Sequence, residues 1–208
     1  MEYLIIALFS YLIGSFPTAF VLLKKVKQID ITQNGSGNVG ALNSYEVSNS
    51  KLIGVTVLLI DALKGFGIVY LSKILFGNDF LTGSISLLFG VTGHCFSPWI
   101  KFKGGRGLAT AAGGSLILAP AILILWLLFW LIAYLFRKNI HFGNITATIL
   151  TGLLSLSSSD VLNKYSIPPA DENFLFGVSV MLLMIVIFIK HIKPLKEYID
   201  QQKNKIRS

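Results

Sequence analysis

GLATAAGGSLILAPAILILWLLFWLIAYLF, residues 107–136, runs for thirty residues without a charged side chain. As one straight helix it extends about 45 Å, against a bilayer hydrocarbon core of about 30 Å. Pro120 sits near its middle. Proline lacks a backbone N–H and collides with the preceding turn, so it ends one helix and allows another to begin. Charge decides between one crossing and two. Two crossings place the polar stretches Lys24–Lys51, Ser97–Arg106 and Arg137–Gly143 and the segment after Lys190 on one side. Of the 18 lysines and arginines, that side then holds fifteen; Lys73 and Lys164 fall opposite and Lys64 lies within a span. One crossing sends Arg137, Lys138 and the cationic C-terminal segment outside. Cytoplasmic loops collect lysine and arginine, so the block is read as two crossings.

Working outward, the first span covers Tyr3 to Leu23 with a kink at Pro17. The second covers Leu52 to Phe76, the turn Gly77-Asn78-Asp79 follows, and the third covers Leu81 to Phe96. After the divided block come spans at Asn144 to Leu162 and Phe174 to Ile189. The expected fold is all-α: a polytopic membrane bundle of about seven transmembrane helices, N-terminus out and C-terminus in. It forms one domain over residues 1–208, with a basic cytoplasmic tail at 190–208. Composition agrees: 53% of residues are hydrophobic and 13% charged, where soluble domains carry about 25% charged residues. The net charge of +8 resides between and after the apolar blocks, which argues against a nucleic-acid partner. The N-terminus reads as a retained span and not a cleaved signal, because Glu2 opens it and Lys24, Lys25 and Lys27 follow the apolar run. Cys95 is the single cysteine and has no internal disulfide partner.

Two glycine-rich segments fall on the basic side. In Asn34-Gly35-Ser36-Gly37-Asn38-Val39-Gly40-Ala41-Leu42-Asn43, glycines allow successive N–H groups to face a common concavity that binds anions. Ser36, Asn38 and Asn43 add side-chain donors. In Lys101-Phe102-Lys103-Gly104-Gly105-Arg106-Gly107, cations and glycines precede a helix, a setting that suits phosphate. Lys103 is expected to supply a fixed cation in a water-poor site, and Lys101 to face lipid headgroups. The plain alternatives are a flexible linker and a loop whose lysines only set topology. His94 closes the third span. Asp61 and Lys64, one turn apart within the second, are spaced to pair, because intramembrane charge is costly and turns toward the protein interior. No GxSxG, HExxH or Walker A pattern occurs, which leaves positioning and electrostatics to carry any group transfer.

With these motifs in order, the chain resembles the bacterial acyl-phosphate-dependent glycerol-3-phosphate acyltransferases. The resemblance rests on Gly14-Ser15, on Gly35 to Ala41 with Asn43, and on Asp61 with Lys64-Gly65-Phe66. It continues through Gly93-His94, Phe102 to Thr110 and Ile145 to Thr148. It implies transfer of a fatty acyl group from acyl phosphate to the 1-hydroxyl of glycerol 3-phosphate, giving lysophosphatidic acid without an acyl-enzyme or a cofactor. The implied catalytic residues are Lys103, His94, Ser36 and His191. Gly35, Gly37, Asn38, Gly40, Asn43, Gly104, Gly105 and Arg106 would hold phosphates. A metal is not expected. The implied partners are membrane lipids and the enzyme that forms the acyl phosphate, in a bacterial inner or plasma membrane. Departures from the family pattern stand at Leu42 for threonine, Glu46 for arginine, His141 to Asn144 for serines and Pro194 for asparagine. They leave a different acceptor alcohol open. A small-anion transporter and an inactive scaffold are the alternatives of other classes, although no related halves are visible.

Overall fold

The computed structural model describes residues 1–207, apart from the side chains of residues 201, 202 and 204–207. Helices α1 to α10 are Glu2–Gly14, Thr18–Lys27, Ala41–Ser48, Lys51–Phe76, Phe80–Cys95, Leu108–Leu118, Pro120–Arg137, Ile140–Ser157, Ser159–Leu162 and Asn173–Arg207. Single 3-10 turns occur at Pro98–Ile100 and Asn163–Tyr165. The chain packs as two compact units, residues 1–118 and 119–208.

In the first unit, Pro17 interrupts the first apolar run as expected, and α1 and α2 remain one span over Glu2–Lys27. The carbonyls released there find side-chain donors: Ser97 Oγ donates to Ser15 O (2.6 Å) and Lys64 Nζ to Phe16 O (3.1 Å). Helix α1 lies on α5 with almost no side chain between them. A Cβ on Gly14 would strike the Gly90 carbonyl, and one on Gly93 would strike the Tyr11 carbonyl. The α4–α6 pair uses the same device, Gly65 against Thr110 and Gly113 against Ala62. Small residues admit this backbone approach where lipid supplies no hydrophobic drive. Asp79 and Ser50 cap α5 and α4 through the Thr82 and Ile53 amides, removing one orphan donor at each start.

The stretch Lys24–Lys51, expected as loop, is loop only in part. Lys24, Lys25 and Lys27 form the last turn of α2, where cations meet the negative end of the helix dipole. Helix α3 occupies 41–48 and seats on α4 at Gly54, where a Cβ would stand 2.9 Å from that of Tyr45.

In the second unit, Pro120 occupies the first turn of α7, a position that wastes no N–H. Asn139 caps α8 by accepting from the Phe142 amide (2.9 Å). The expected loop Arg137–Gly143 is therefore much shorter. Helix α8 stops at Ser157 rather than at Leu162. Asn163 ties the following turns by exchanging two bonds with Ala170 (2.9 and 2.7 Å). The segment from Lys190, expected as a polar tail, continues α10 as helix and bends by 52° between Ile189 and Ile192. Pro194 explains the bend, since its ring displaces the carbonyl of Lys190 four residues earlier.

The chain is an integral membrane protein. Among the described residues, four helical spans are long and apolar enough to cross a bilayer, and the bent α10 makes five; α5 and α6 are shorter apolar helices. Leu127, Leu128, Leu131, Ile132, Leu135 and Phe136 are exposed along α7. A face of that kind in water marks an interaction surface; α7 as a whole, with 18 residues, extends about 27 Å, close to the hydrocarbon core of about 30 Å.

Candidate functional site

The site is built in the first unit on a small apolar floor. Ala19, Leu23, Ile31, Val39, Ile53, Val57 and Ile100 pack together there. Ile31, Val39 and Ile100 belong to the loops, so this cluster fixes both polar segments to the helices.

The first glycine segment is shaped from within. Buried Asn43 accepts from the Ser36 amide (3.0 Å) and donates to the carbonyls of Asn34 (3.1 Å) and Asn38 (2.9 Å). Gly35 and Gly37 have φ of 60° and 70°, where a side chain is strained. The Gly37 amide donates to Asn34 O, the Asn38 amide to Ser36 Oγ (3.4 Å) and the Val39 amide to Gly104 O (3.3 Å). The sequence reading needs correction here. The amides of residues 36–38 are taken within the loop and that of Val39 by Gly104 of the second segment, so they form no anion nest, and both Asn43 donors are committed to backbone. The glycines provide turns and close approach. The donors that remain by construction are the first-turn amides of α3, which lack acceptors within the helix. Gly40, with extended backbone, is its N-cap.

The second segment is held by its backbone. Lys103 N–H donates to Ile100 O (3.2 Å), its carbonyl accepts from Ser97 N–H (3.0 Å), and Gly105 N–H donates to His94 O (3.1 Å). Gly104 lies against the His94 and Cys95 carbonyls, and Gly105 against His94 Nε2, so closely that neither tolerates a Cβ. The loop delivers Arg106, partly exposed, and then the start of α6. The Lys103 side chain is exposed, not enclosed in a dry site as expected. Lys101 does not stand apart from it: both line a cleft of about 250 Å³ with Phe20, Asp30, Thr32, Gln33, Trp99 and Ile100. The bond from the Val39 amide to the Gly104 carbonyl joins the two glycine segments that precede α3 and α6.

Beneath the loop lies a buried polar group. Lys64 Nζ is 3.1 Å from Asp61 Oδ1 and 3.2 Å from His94 Nδ1, with all three side chains under a tenth exposed. The expected Asp61–Lys64 pair forms, and it includes His94. Ser36 is exposed on the first loop, and Asn38 folds over Gly40. His191 belongs to the second unit and is fully buried. Its Nδ1 is 2.8 Å from Ile187 O, and its Nε2 is 3.5 Å from Asn144 Nδ2.

The sequence reading missed Asp30 and Trp99. Asp30 Oδ1 accepts from the Thr32 hydroxyl (2.8 Å) and amide (2.9 Å). Those bonds, the hydroxyl's first, hold its carboxyl below the usual value. An Asp two residues before Thr at the mouth of a glycine segment is the signal for such a turn. Trp99 Nε1 donates to Ser15 Oγ (2.9 Å), a contact across 84 residues that leaves no local trace.

A family model described as glycerol-3-phosphate acyltransferase matches residues 4–201. The glycerol-3-phosphate acyltransferase of Ehrlichia canis is 34% identical over 98% of both chains. That of Fusobacterium nucleatum is 33% identical over the whole of both. The crystal structure of PlsY (YgiH), an integral membrane glycerol 3-phosphate acyltransferase in its glycerol 3-phosphate form, superposes with a TM-score of 0.74 at 30% identity. That match covers 99% of this chain and 94% of the other. Family model, relatives and solved structure agree along nearly the full length, and the chain belongs to the glycerol-3-phosphate acyltransferase family.

Proposed function

We propose that this enzyme moves a fatty acyl group from acyl phosphate to the 1-hydroxyl of glycerol 3-phosphate at the cytoplasmic face of a bacterial inner membrane. The observation that carries the reading is the Val39–Gly104 bond, which fastens the loop ahead of α3 to the loop ahead of α6, where Lys103 is the next residue before Gly104. Two phosphorylated substrates need two anion sites, and a helix start is one. The acceptor oxygen attacks the carbonyl carbon of the acyl phosphate. The bond from that carbon to the phosphate oxygen breaks, and the hydroxyl proton passes to the departing phosphate. Lys103 and Arg106 offset the charge that gathers on the carbonyl oxygen and leaving phosphate. Because Lys103 is exposed, substrate itself must complete its desolvation. Ser36 adds a hydroxyl at the other loop, and Asn43 acts through the shape it gives that loop.

The topology proposed with it is seven crossings, N-terminus out and C-terminus in. Helices α5 and α6, of 16 and 11 residues, extend about 24 and 16 Å. Such short elements are tolerated in a bilayer where protein surrounds their ends, and α4 packs against both.

Purified protein supplied with acyl phosphate and glycerol 3-phosphate tests the reaction. Lys103→Ala is expected to lower turnover about 100-fold, while Lys193→Ala, on the exposed face of α10, leaves it intact. Wild-type turnover of Lys103→Ala would refute the role of this loop.

A further inference from the structure

The buried group beneath the loop has a hydrogen-bond logic of its own. An ammonium has three hydrogens, and Lys64 has three acceptors in reach: Phe16 O at 3.1 Å, Asp61 Oδ1 at 3.1 Å and His94 Nδ1 at 3.2 Å. His94 Nδ1 is 3.6 Å from Asp61 Oδ1, beyond a hydrogen bond. The cation therefore stands between imidazole and carboxylate. To accept from it, Nδ1 must present its lone pair, and the ring hydrogen then resides on Nε2. Protonating the ring would face Nδ1–H with an ammonium and leave a net positive charge buried, a costly state. Neutral His94 leaves the group with one cation and one anion, balanced.

The other end of the ring meets the loop. Gly105 is so close to Nε2 that a Cβ would collide with it, and the Gly105 amide donates to the carbonyl of the same histidine. His94 therefore meets Gly105 twice, holding it by a backbone hydrogen bond and packing its ring against the missing side chain. Lys103 lies two residues before Gly105, and α6 begins three residues after it.

We propose that Asp61 and Lys64 fix His94 as a neutral imidazole with its hydrogen on Nε2, and that this buried group positions the Lys103–Gly107 loop instead of carrying protons in the reaction. Its kinetic consequence rests on the acyl-transfer reading; the tautomer does not.

The test uses the full chain in nanodiscs with nitrogen-15 in its three histidines, His94 being assigned by eliminating His141 and His191 with glutamine. At neutral pH the His94 spectrum is expected to show a one-bond N–H coupling at Nε2 and an unprotonated, hydrogen-bonded Nδ1. In Asp61→Asn/Lys64→Met, which removes both charges, that lock is expected to relax into tautomer exchange. Hydrogen on Nδ1, or a doubly protonated ring in the wild type, overturns the proposal. In the kinetic arm, His94→Gln keeps an N–H near the place of Nε2 and is expected to hold kcat within about 10-fold, while His94→Ala loses about 100-fold. A proton carrier would leave both variants equally inactive, and that result also overturns it. A wild type without acyl transfer would refute the proposed function and leave the spectrum to judge the lock.

Discussion

Gly105→Ala isolates the contact on which the loop depends. The φ of Gly105 lies outside the left-handed range, so alanine is acceptable to the backbone and only space opposes it. The new methyl would stand 2.8 Å from His94 Cε1 and 3.0 Å from Cδ2, and closer still to Nε2, where ordinary contact begins at 3.4 Å. The ring cannot swing aside without breaking its bond to Lys64. The loop cannot back away without losing the Gly105–His94 and Val39–Gly104 bonds. Relief therefore requires a loop shift of about 1 Å, a displacement that costs about 100-fold when it falls on a positioning element. Overpacking of this kind costs about 1–3 kcal/mol of stability. Steady-state acyl transfer and thermal unfolding in detergent measure the two effects. The double variant His94→Ala/Gly105→Ala is expected to melt no lower than His94→Ala alone, since the methyl then has room, and not to regain turnover. Turnover of Gly105→Ala within about two-fold of wild type, at equal stability, would show that the loop does not transmit its position to the chemistry.

Replacing Asp61 by Asn or Lys64 by Met alone is expected to cost about 3–5 kcal/mol, because one buried charge remains, and the double replacement markedly less; equal melting of all three variants contradicts the pairing. With Cys95 replaced, a cysteine at Ala121 is expected to react with an impermeant reagent on intact cells and one at Lys203 to be protected; the reverse pattern sinks the topology. The hydroxyl and amide of Thr32 hold the Asp30 carboxyl below the ordinary aspartate value. Its bonds to Thr32 therefore contribute fully above that value and are lost as pH falls through the folded one. Asp30→Asn is then expected to leave the pH dependence of unfolding unchanged above about pH 5 and to flatten it only in more acidic solution.

The helices were legible because their signals are local. Uncharged runs, Pro120 and the turn Gly77-Asn78-Asp79 each act within a few positions. Helix α3 was hidden because its eight residues are short and weakly patterned, and it exists by packing on Gly54. The continuation of α10 beyond Lys190 was hidden because a polar helix and a polar tail look alike in composition. At the site, residue types were readable but allegiances were not. Asn43 has the donors a phosphate needs, yet only the folded loop shows them committed to Asn34 and Asn38. Asp61 and Lys64 were readable as a pair from their spacing, whereas His94 joins them across 30 residues. That union depends on α1, α4 and α5 meeting at the break before Pro17.

The bond from the Val39 amide to the Gly104 carbonyl makes two loops into one moving part. Neither loop can lift from the apolar floor while the other stays seated, so a ligand that stiffens one damps the other. Slow hydrogen exchange at this single amide would then report the seating of both loops at once.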